Sequence, residues 1–560
     1  MRQGEVLRRA LLGQWRHAAL SAALAASHQG GEVLVPVVIG VVIDQAIVPG
    51  DGGALVTWIA VLAAVFVTLS FSFRFSFRAA ERASEQAGHE LRLELTRRTL
   101  DPRGGAESGR LPGELVNVAT GDAKRVGAVH VALGAAIASL AGLVAGGLAL
   151  LWMSVPLGLL VLLGIPPLLG LAHVLGKPLE RRSGAEQERA AHASGVAADL
   201  IAGLRVLKGI GAERSAVERY RATSRASLAA TVRAARAQAW HDGGMLMLTG
   251  VFIAIVALVG GRLAVSGDIT VGQLVTAVGL AQFLLTPLSL LSWANGEFAQ
   301  GRASAARIAS VLGSPPAVAE GDGVLPQPVR GAVRLREVTC GDGAVRGLSL
   351  DVAAGELLGV VTTDPKTATS LLRLLGRAAD PESGEVEVDG VPLRTLDPAE
   401  IRRVIVVAEH DADLFEGSLL DNVTAASADG MAEKAMAAAA ADEVARNLPQ
   451  GTATVLSERG RSLSGGQRQR VALARALAVD APVLVLHDPT TAVDAVTEAG
   501  IAAGLRKVRE GSTTIVVATS PALLAETDRV AFVDGGAVIA EGAHGDLARE
   551  HPAYRAAVLF

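Results

Sequence analysis

Six apolar runs dominate the first half of the chain, and each is long enough to cross a lipid bilayer: Ala18–Ile47, Ala54–Phe73, Val131–Met153, Leu157–Leu175, Met245–Val265 and Val271–Trp293. A helix needs about 20 mostly apolar residues to span the hydrocarbon core. Half of the 560 residues are hydrophobic and the mean hydropathy is +0.39, more apolar than a soluble protein of this size would be. The length itself calls for more than one domain.

The connections between the runs set the topology. PGDGG, SVP and SGDIT carry no Lys or Arg, whereas Arg74 to Arg125 carries 10 and Lys177 to Arg236 carries 12. By the positive-inside bias, the two long connections face the cytoplasm. Their segments ERASEQAGHELRLELTRRTL and GAEQERAAHASGVAADLIAGLRVL keep helical spacing with few breakers. The membrane helices are therefore expected to continue well into the cytosol. The opening MRQGEVLRRALLGQWRH is charged and amphipathic, an elbow into the first span rather than a signal peptide. A net charge of −4 offers nothing to nucleic acid, and a single cysteine, Cys340, rules out an internal disulfide.

Past the sixth run the pattern changes. LGSPPAVAEGDGVLPQPVRG is rich in Pro and Gly and reads as a linker, giving a membrane domain over 1–311, a linker over 312–330 and a second domain over 331–560. In the last of these, short apolar strands such as VIVVA, VLVLHD, TTIVVAT and RVAFVD alternate with helical stretches, the pattern of a parallel α/β domain. Six spans return the chain to its starting side, which places this domain in the cytosol.

The most specific motif is Leu463-Ser464-Gly465-Gly466-Gln467, followed by RQRVALARAL. A serine hydroxyl, two glycines that let the backbone approach closely and a helix N-terminus suit contact with a phosphate. Around it stand Ser457-Glu458-Arg459-Gly460, the strand Val483–Leu486 with HDPTTAVD, and VDGGAVIAEGAHGDL. In the membrane half stand VVIGVVID, LPGELVNVATGD, GLRVLKGIGAER and GRASAARIASVL. Together these resemble the half-transporters of the ABC exporter type over nearly the whole chain. The resemblance implies an α-helical six-span transmembrane domain with long intracellular helices, followed by an α/β P-loop-type nucleotide-binding domain. It also implies coupling segments near Thr99–Gly104 and Gly209–Glu213, residence in a bacterial cytoplasmic membrane, and ATP with Mg²⁺ as cofactors. In that family two domains sit head to tail, so Leu463–Gln467 and the D-loop Asp494 would complete an ATP site carried by a partner.

The chain departs from the family at its own ATP site. A P-loop wraps phosphates with glycine backbone, reaches them with a Lys and binds Mg²⁺ with a Ser or Thr. Between GELLGVV and SLLRLL, this chain reads Thr362-Thr363-Asp364-Pro365-Lys366-Thr367-Ala368-Thr369. Thr362, Pro365 and Thr367 stand where the glycines belong and Ala368 where the Lys belongs, and only Thr369 keeps its type. Lys366, two residues early, is the rival candidate for a phosphate contact. His487 takes the place of the Walker B Asp, Asp488 that of the Glu that orients water, His410 that of the Q-loop Gln and Thr519 that of the switch His. No aromatic follows Val338-Thr339 to stack on adenine. With no Cys nearby and no His-x₃-His spacing, His410 and His487 are read as plain substitutions, not metal ligands.

An intact signature beside an eroded cis site implies the degenerate subunit of a heterodimer, with no catalytic residue in cis. The partner would be a second half-transporter with intact Walker A, Walker B Glu and switch His. The substrate would be a small molecule, lipid or peptide, with export the expected direction. Two other readings remain: an importer on the exporter fold with a siderophore-like substrate, and a regulatory membrane subunit that no longer transports. In the first span, Glu32 and with it His28 lie at bilayer depth, where an ionisable group is costly. They either line the translocation pathway or pair with a polar group on a neighbouring helix.

Overall fold

The computed structural model describes residues 3–341, 343–410 and 413–559. It divides into two compact units: Met1–Thr96 with Pro112–Gly313, and Arg97–Leu111 with Ser314–Phe560.

The first unit holds six helices long and apolar enough to cross a membrane: Trp15–Ile47, Gly52–Thr99, Pro112–Met153, Val155–Ala202, Glu213–Val265 and Val271–Leu312. The second, fourth and fifth run for 48, 48 and 53 residues. At 1.5 Å per residue they reach roughly 70–80 Å, more than twice the hydrocarbon thickness. The expected extension of the helices beyond their apolar stretches is thus present. Glycines set the closest approaches. A Cβ on Gly40 would meet the Gly272 carbonyl oxygen at 2.5 Å, so the first and sixth helices cross backbone to backbone there.

A single π-helical turn, Ile43–Ile47, ends the first helix, and another, Val118–Asp122, interrupts the third. Each presents a carboxylate to the sixth helix, a feature the sequence reading did not contain. Asp44 accepts from the Thr270 hydroxyl and, at 2.8 Å, from the Gly272 N–H. Asp122, only 2 % exposed, accepts from the Ser304 hydroxyl at 2.8 Å and from Arg307 Nε at 2.7 Å. The sixth helix is therefore held near both ends by charge-assisted bonds. Asp122→Ala is expected to destabilise the membrane unit by about 2 kcal/mol. Removing one partner of a fully buried pair costs more, but Arg307 is nearly half exposed and keeps part of its hydration. Thermal unfolding in detergent would check this, and Arg307→Ala added to Asp122→Ala is expected to cost little more.

In the second unit the strands are β1 (Val333–Cys340), β2 (Val345–Val352), β3 (Leu357–Thr362), β4 (Ser383–Val388), β5 (Val391–Pro392), β6 (Ile405–Ala408), β7 (Gly417–Ser418), β8 (Val455–Leu456), β9 (Val483–His487), β10 (Thr513–Val517), β11 (Arg529–Asp534) and β12 (Ala537–Gly542). The main sheet has the order β12-β11-β3-β10-β9-β6, parallel except for β12; a second, antiparallel sheet has the order β2-β1-β4-β5. Every residue of β10 and all but the last of β3 are buried, as parallel strands covered on both faces require.

The segment read as a linker is anchored rather than free. Val318 and Leu325 are buried, and the buried Arg377 guanidinium donates to the carbonyl oxygens of Ala319, Arg394 and Leu396. Residues 97–111, which contain the first expected coupling segment, pack in this unit. The Arg103 carbonyl accepts from Ala317 N at 3.0 Å, and Arg402 donates to the Pro102 carbonyl at 2.7 Å. Gly105 has φ +89°, and a Cβ there would meet the Pro315 oxygen at 2.2 Å, so only glycine fits. The second expected segment, Gly209–Glu213, follows a short helix Leu204–Gly209 in the first unit, with Val206 and Ile210 exposed.

Candidate functional site

The positions that the sequence reading assigned to the cis nucleotide site follow the C-terminal ends of four parallel strands: residues 362–369 after β3, His410 after β6, His487 and Asp488 at β9, and Thr519 after β10. Ligands of open α/β sheets bind at that edge. What the edge offers here differs from a phosphate cradle. The helix Pro365–Leu375 begins at once, with Asp364 as its N-cap accepting from Lys366 N at 2.9 Å. A carboxylate thus occupies the positive end of the helix, where a phosphate would sit. Pro365 at the first helical position supplies no N–H. Thr367 is buried and donates to the Ala344 carbonyl at 2.8 Å, and Thr369 donates back to the Pro365 carbonyl at 3.0 Å. Ala368 packs into the core beneath the sheet, while Lys366 is exposed in the first helical turn.

Adjacent parallel strands bring His410 and His487 together. Ala408 on β6 pairs with Leu486 on β9, and the two imidazole rings meet edge to face with centroids 5.2 Å apart. They line a cavity of about 450 Å³ with Glu409, Asp413 and Arg475. Burial pushes the His487 imidazole below its ordinary pKa; His410 pushes the same way, against Asp488 and Glu409. Burial thus favours the neutral form of the imidazole at the position that the sequence reading matched to the Walker B Asp. Asp488 takes a left-handed conformation, φ +43°, with its N–H bonded to the Val517 carbonyl. Thr519 is exposed past the end of β10, and Cys340 is buried at the end of β1. Asp342 and Asp411 lie outside the described residues. Among the described residues no group of three or more His, Cys, Asp or Glu is placed to hold a metal ion.

The signature is locally complete. Ser464 is the N-cap of the helix Gly465–Ala478 and forms a capping box with Gln467: the Ser464 hydroxyl accepts from Gln467 N at 3.3 Å, and Gln467 Oε1 accepts from Ser464 N at 2.8 Å. Leu463 is buried and anchors the turn, while Ser464 and Gly465 are exposed. A Cβ on Gly466 would meet the Ala492 oxygen at 2.5 Å, so the second glycine lets the D-loop pass. Gln469, which the sequence reading passed over, ties the two segments. It donates to the Thr491 hydroxyl at 2.7 Å and accepts from Ala492 N at 2.8 Å. Asp494 caps the next helix, and the Thr497 backbone N–H holds its carboxyl below the usual range.

In the membrane unit, His28 and Glu32 do meet, with Nε2 and Oε1 3.5 Å apart. The other ring nitrogen, Nδ1, lies 3.1 Å from the Leu69 carbonyl on the second helix, and the His28 ring sits 5.2 Å from that of Phe73.

The family model of the ABC transporter transmembrane region matches residues 19–288, and that of the ABC transporter matches residues 345–491. Over 532 residues the chain is 32 % identical to a multidrug efflux ATP-binding/permease protein of Mycobacterium tuberculosis, which covers 93 % of this chain but 44 % of that relative. The chain thus spans less than half the length of that relative. It is 30 % identical over 414 residues to an ATP-dependent lipid A-core flippase of Xanthomonas oryzae pv. oryzae, covering 72 % of this chain and 70 % of the relative. The fold is that of a bacterial Atm1-family ABC exporter solved with ATP bound, with a TM-score of 0.74 at 23 % identity over 99 % of this chain and 98 % of the other. A six-helix membrane unit joined to an α/β unit with a complete signature, matched by both family models, makes this chain a member of the ABC transporter family, an exporter-type half-transporter with its transmembrane domain fused to its nucleotide-binding domain.

Proposed function

We propose that this chain is the non-hydrolytic half of a heterodimeric, ATP-driven exporter in a bacterial cytoplasmic membrane, and that it lends its signature to an active site owned by a partner. The observation that carries this reading is a contrast within one domain. The signature turn keeps its capping box, its required second glycine and its tie to the D-loop. The segment that should wrap phosphate is instead a proline-started helix capped by a carboxylate. Family membership implies Mg-ATP, and the chain's own residues do not fit it. Asp364 repels phosphate from the helix N-terminus, the Thr369 hydroxyl is spent on the Pro365 carbonyl, and an imidazole stands at 487 where Mg²⁺ would need a hard oxygen ligand. Nothing is therefore routed through the cis site. In trans, the Ser464 hydroxyl and the Gly465 and Gly466 backbone would act as positioned donors to the transferring phosphoryl group.

The proposed substrate is an amphiphilic small molecule or a lipid, on the grounds that the relatives include a multidrug efflux protein and lipid A-core flippases. Glu32, with His28, would line its path. A regulatory subunit without transport would have no use for the signature geometry kept here. A substrate entering by import has no observation in its favour. Purified alone in proteoliposomes, the chain is expected to show no ATP hydrolysis and no transport. Reconstituted with a half-transporter that has intact Walker motifs, it is expected to gain both. Hydrolysis by the chain alone would overturn the reading.

A further inference from the structure

Glu32 and Asp44 are the only acids within the six apolar runs. Asp44 is engaged by Thr270 and Gly272 near one end of its helix. Glu32 has no Lys or Arg beside it among the described residues; its charged-group neighbour is His28, one helical turn back. A carbonyl oxygen only accepts, so the contact of His28 Nδ1 with the Leu69 carbonyl fixes the proton on Nδ1. Nε2 is then left with its lone pair, and that lone pair faces Glu32 Oε1 at 3.5 Å. Two acceptors face each other across a gap that a single proton would fill. With the proton the pair is neutral; without it a bare carboxylate stands at bilayer depth, which is costly.

Among the described residues of the helices packed against the first span, no other titratable group lies beside the dyad. From the second helix the facing residues are Leu69, Ser72 and Phe73, and the nearest charge is Arg74. The third helix has no titratable residue between His130 and Met153, and the sixth has none from Val271 to Phe283. The charged residues of the elbow, Arg2, Glu5, Arg8, Arg9 and Arg16, lie before the first apolar run. The aromatic side of the dyad is extended by Phe77, which stacks on Phe73 with centroids 6.2 Å apart. Glu32 is about one-third exposed and remains reachable, with a side-chain exposure of 37 %.

From this geometry we infer that the His28–Glu32 dyad is a proton-exchange site for lipophilic organic cations, which bind the Glu32 carboxylate as the dyad gives up its proton. The exchange balances: one positive charge enters, one proton leaves, and the site stays neutral. A quaternary cation needs no hydrogen bond and takes its remaining stabilisation from the ring faces of Phe73 and Phe77. The inference rests on the reading that Glu32 lines the substrate path and adds to it the charge class of the substrate and the counter-ion.

The test uses the 560-residue chain in lipid nanodiscs, titrated calorimetrically with tetraphenylphosphonium and separately with the uncharged amphiphile Nile red. Paired buffers of different ionisation enthalpy count the protons released. The expected result is release of one proton per tetraphenylphosphonium bound. The apparent Kd should rise about tenfold for each pH unit of acidification while the dyad holds its proton. Glu32→Gln should weaken tetraphenylphosphonium binding at least tenfold and abolish proton release, with Nile red binding unchanged. Glu32→Asp, which keeps the charge, should retain both the binding and the release and so serves as the folding control. If Glu32→Gln weakens both probes and the wild type releases no proton, Glu32 lines the path but the exchange is wrong. If Glu32→Gln changes the binding of neither probe, both readings are wrong.

Discussion

In a complex with an intact half-transporter, Ser464→Arg is expected to abolish nearly all ATP hydrolysis, a loss of at least ~100-fold. Ser464 is exposed at the start of a 14-residue helix, and its hydroxyl and the following backbone are the donors this chain offers to a partner's phosphate. Removing a single donor aimed at developing charge costs about 10²–10³ in rate, and an arginine side chain would in addition hold the two domains apart. Loss of the cap itself costs only about 1 kcal/mol of helix stability, so the domain should still fold. The matched control is Ala368→Lys, which is expected to leave the rate unchanged. Ala368 is 4 % exposed and packed in the core, and the loop around it is a helix rather than a cradle. Steady-state hydrolysis by the three complexes decides the matter. A silent Ser464→Arg would mean that the domains do not share sites head to tail.

The second large effect is expected in nucleotide binding. The chain alone, titrated with Mg-ATP, should show no saturable binding up to about millimolar concentration, because the usual contributions are absent together. The helix N-terminus already has its own anion in Asp364, and Pro365 removes an N–H. No aromatic residue follows Thr339 to stack on the base. A like charge at a phosphate subsite repels as well as competes. Equilibrium dialysis with labelled ATP is the direct measurement. Sub-micromolar affinity would show that the segment 362–369 adopts another path with nucleotide present, one that brings Lys366 to the phosphates.

Much of this protein was legible from its residues alone, because the governing physics is local. Six apolar runs specify six spans, since a bilayer allows only backbone that satisfies itself. Alternating buried strands and helices specify the α/β unit. The signature reads from five consecutive residues because a capping box is a local device, closed within Ser464–Gln467. The departure of residues 362–369 from a P-loop was read in the same way, as residue types at known spacing, and it underlies the proposal of a non-hydrolytic site.

Tertiary structure decided the rest, and in each case the reason is a contact between residues far apart in the chain. Asp122 stands in the sequence only as the last residue of LPGELVNVATGD; a π turn and a distant Arg307 make it a buried anchor of the sixth helix. Residues 312–330 read as a linker by composition, yet Val318 and Leu325 are core, because Arg377 and the Arg103 carbonyl bind the backbone between and beside them. The pairing of His410 with His487 depends on the register of two parallel strands that are 78 residues apart at Ala408 and Leu486, a relation no local pattern encodes. Likewise the sequence placed His28 and Glu32 one turn apart on a single helix, but only the Leu69 carbonyl of a neighbouring helix determines which imidazole nitrogen carries the proton.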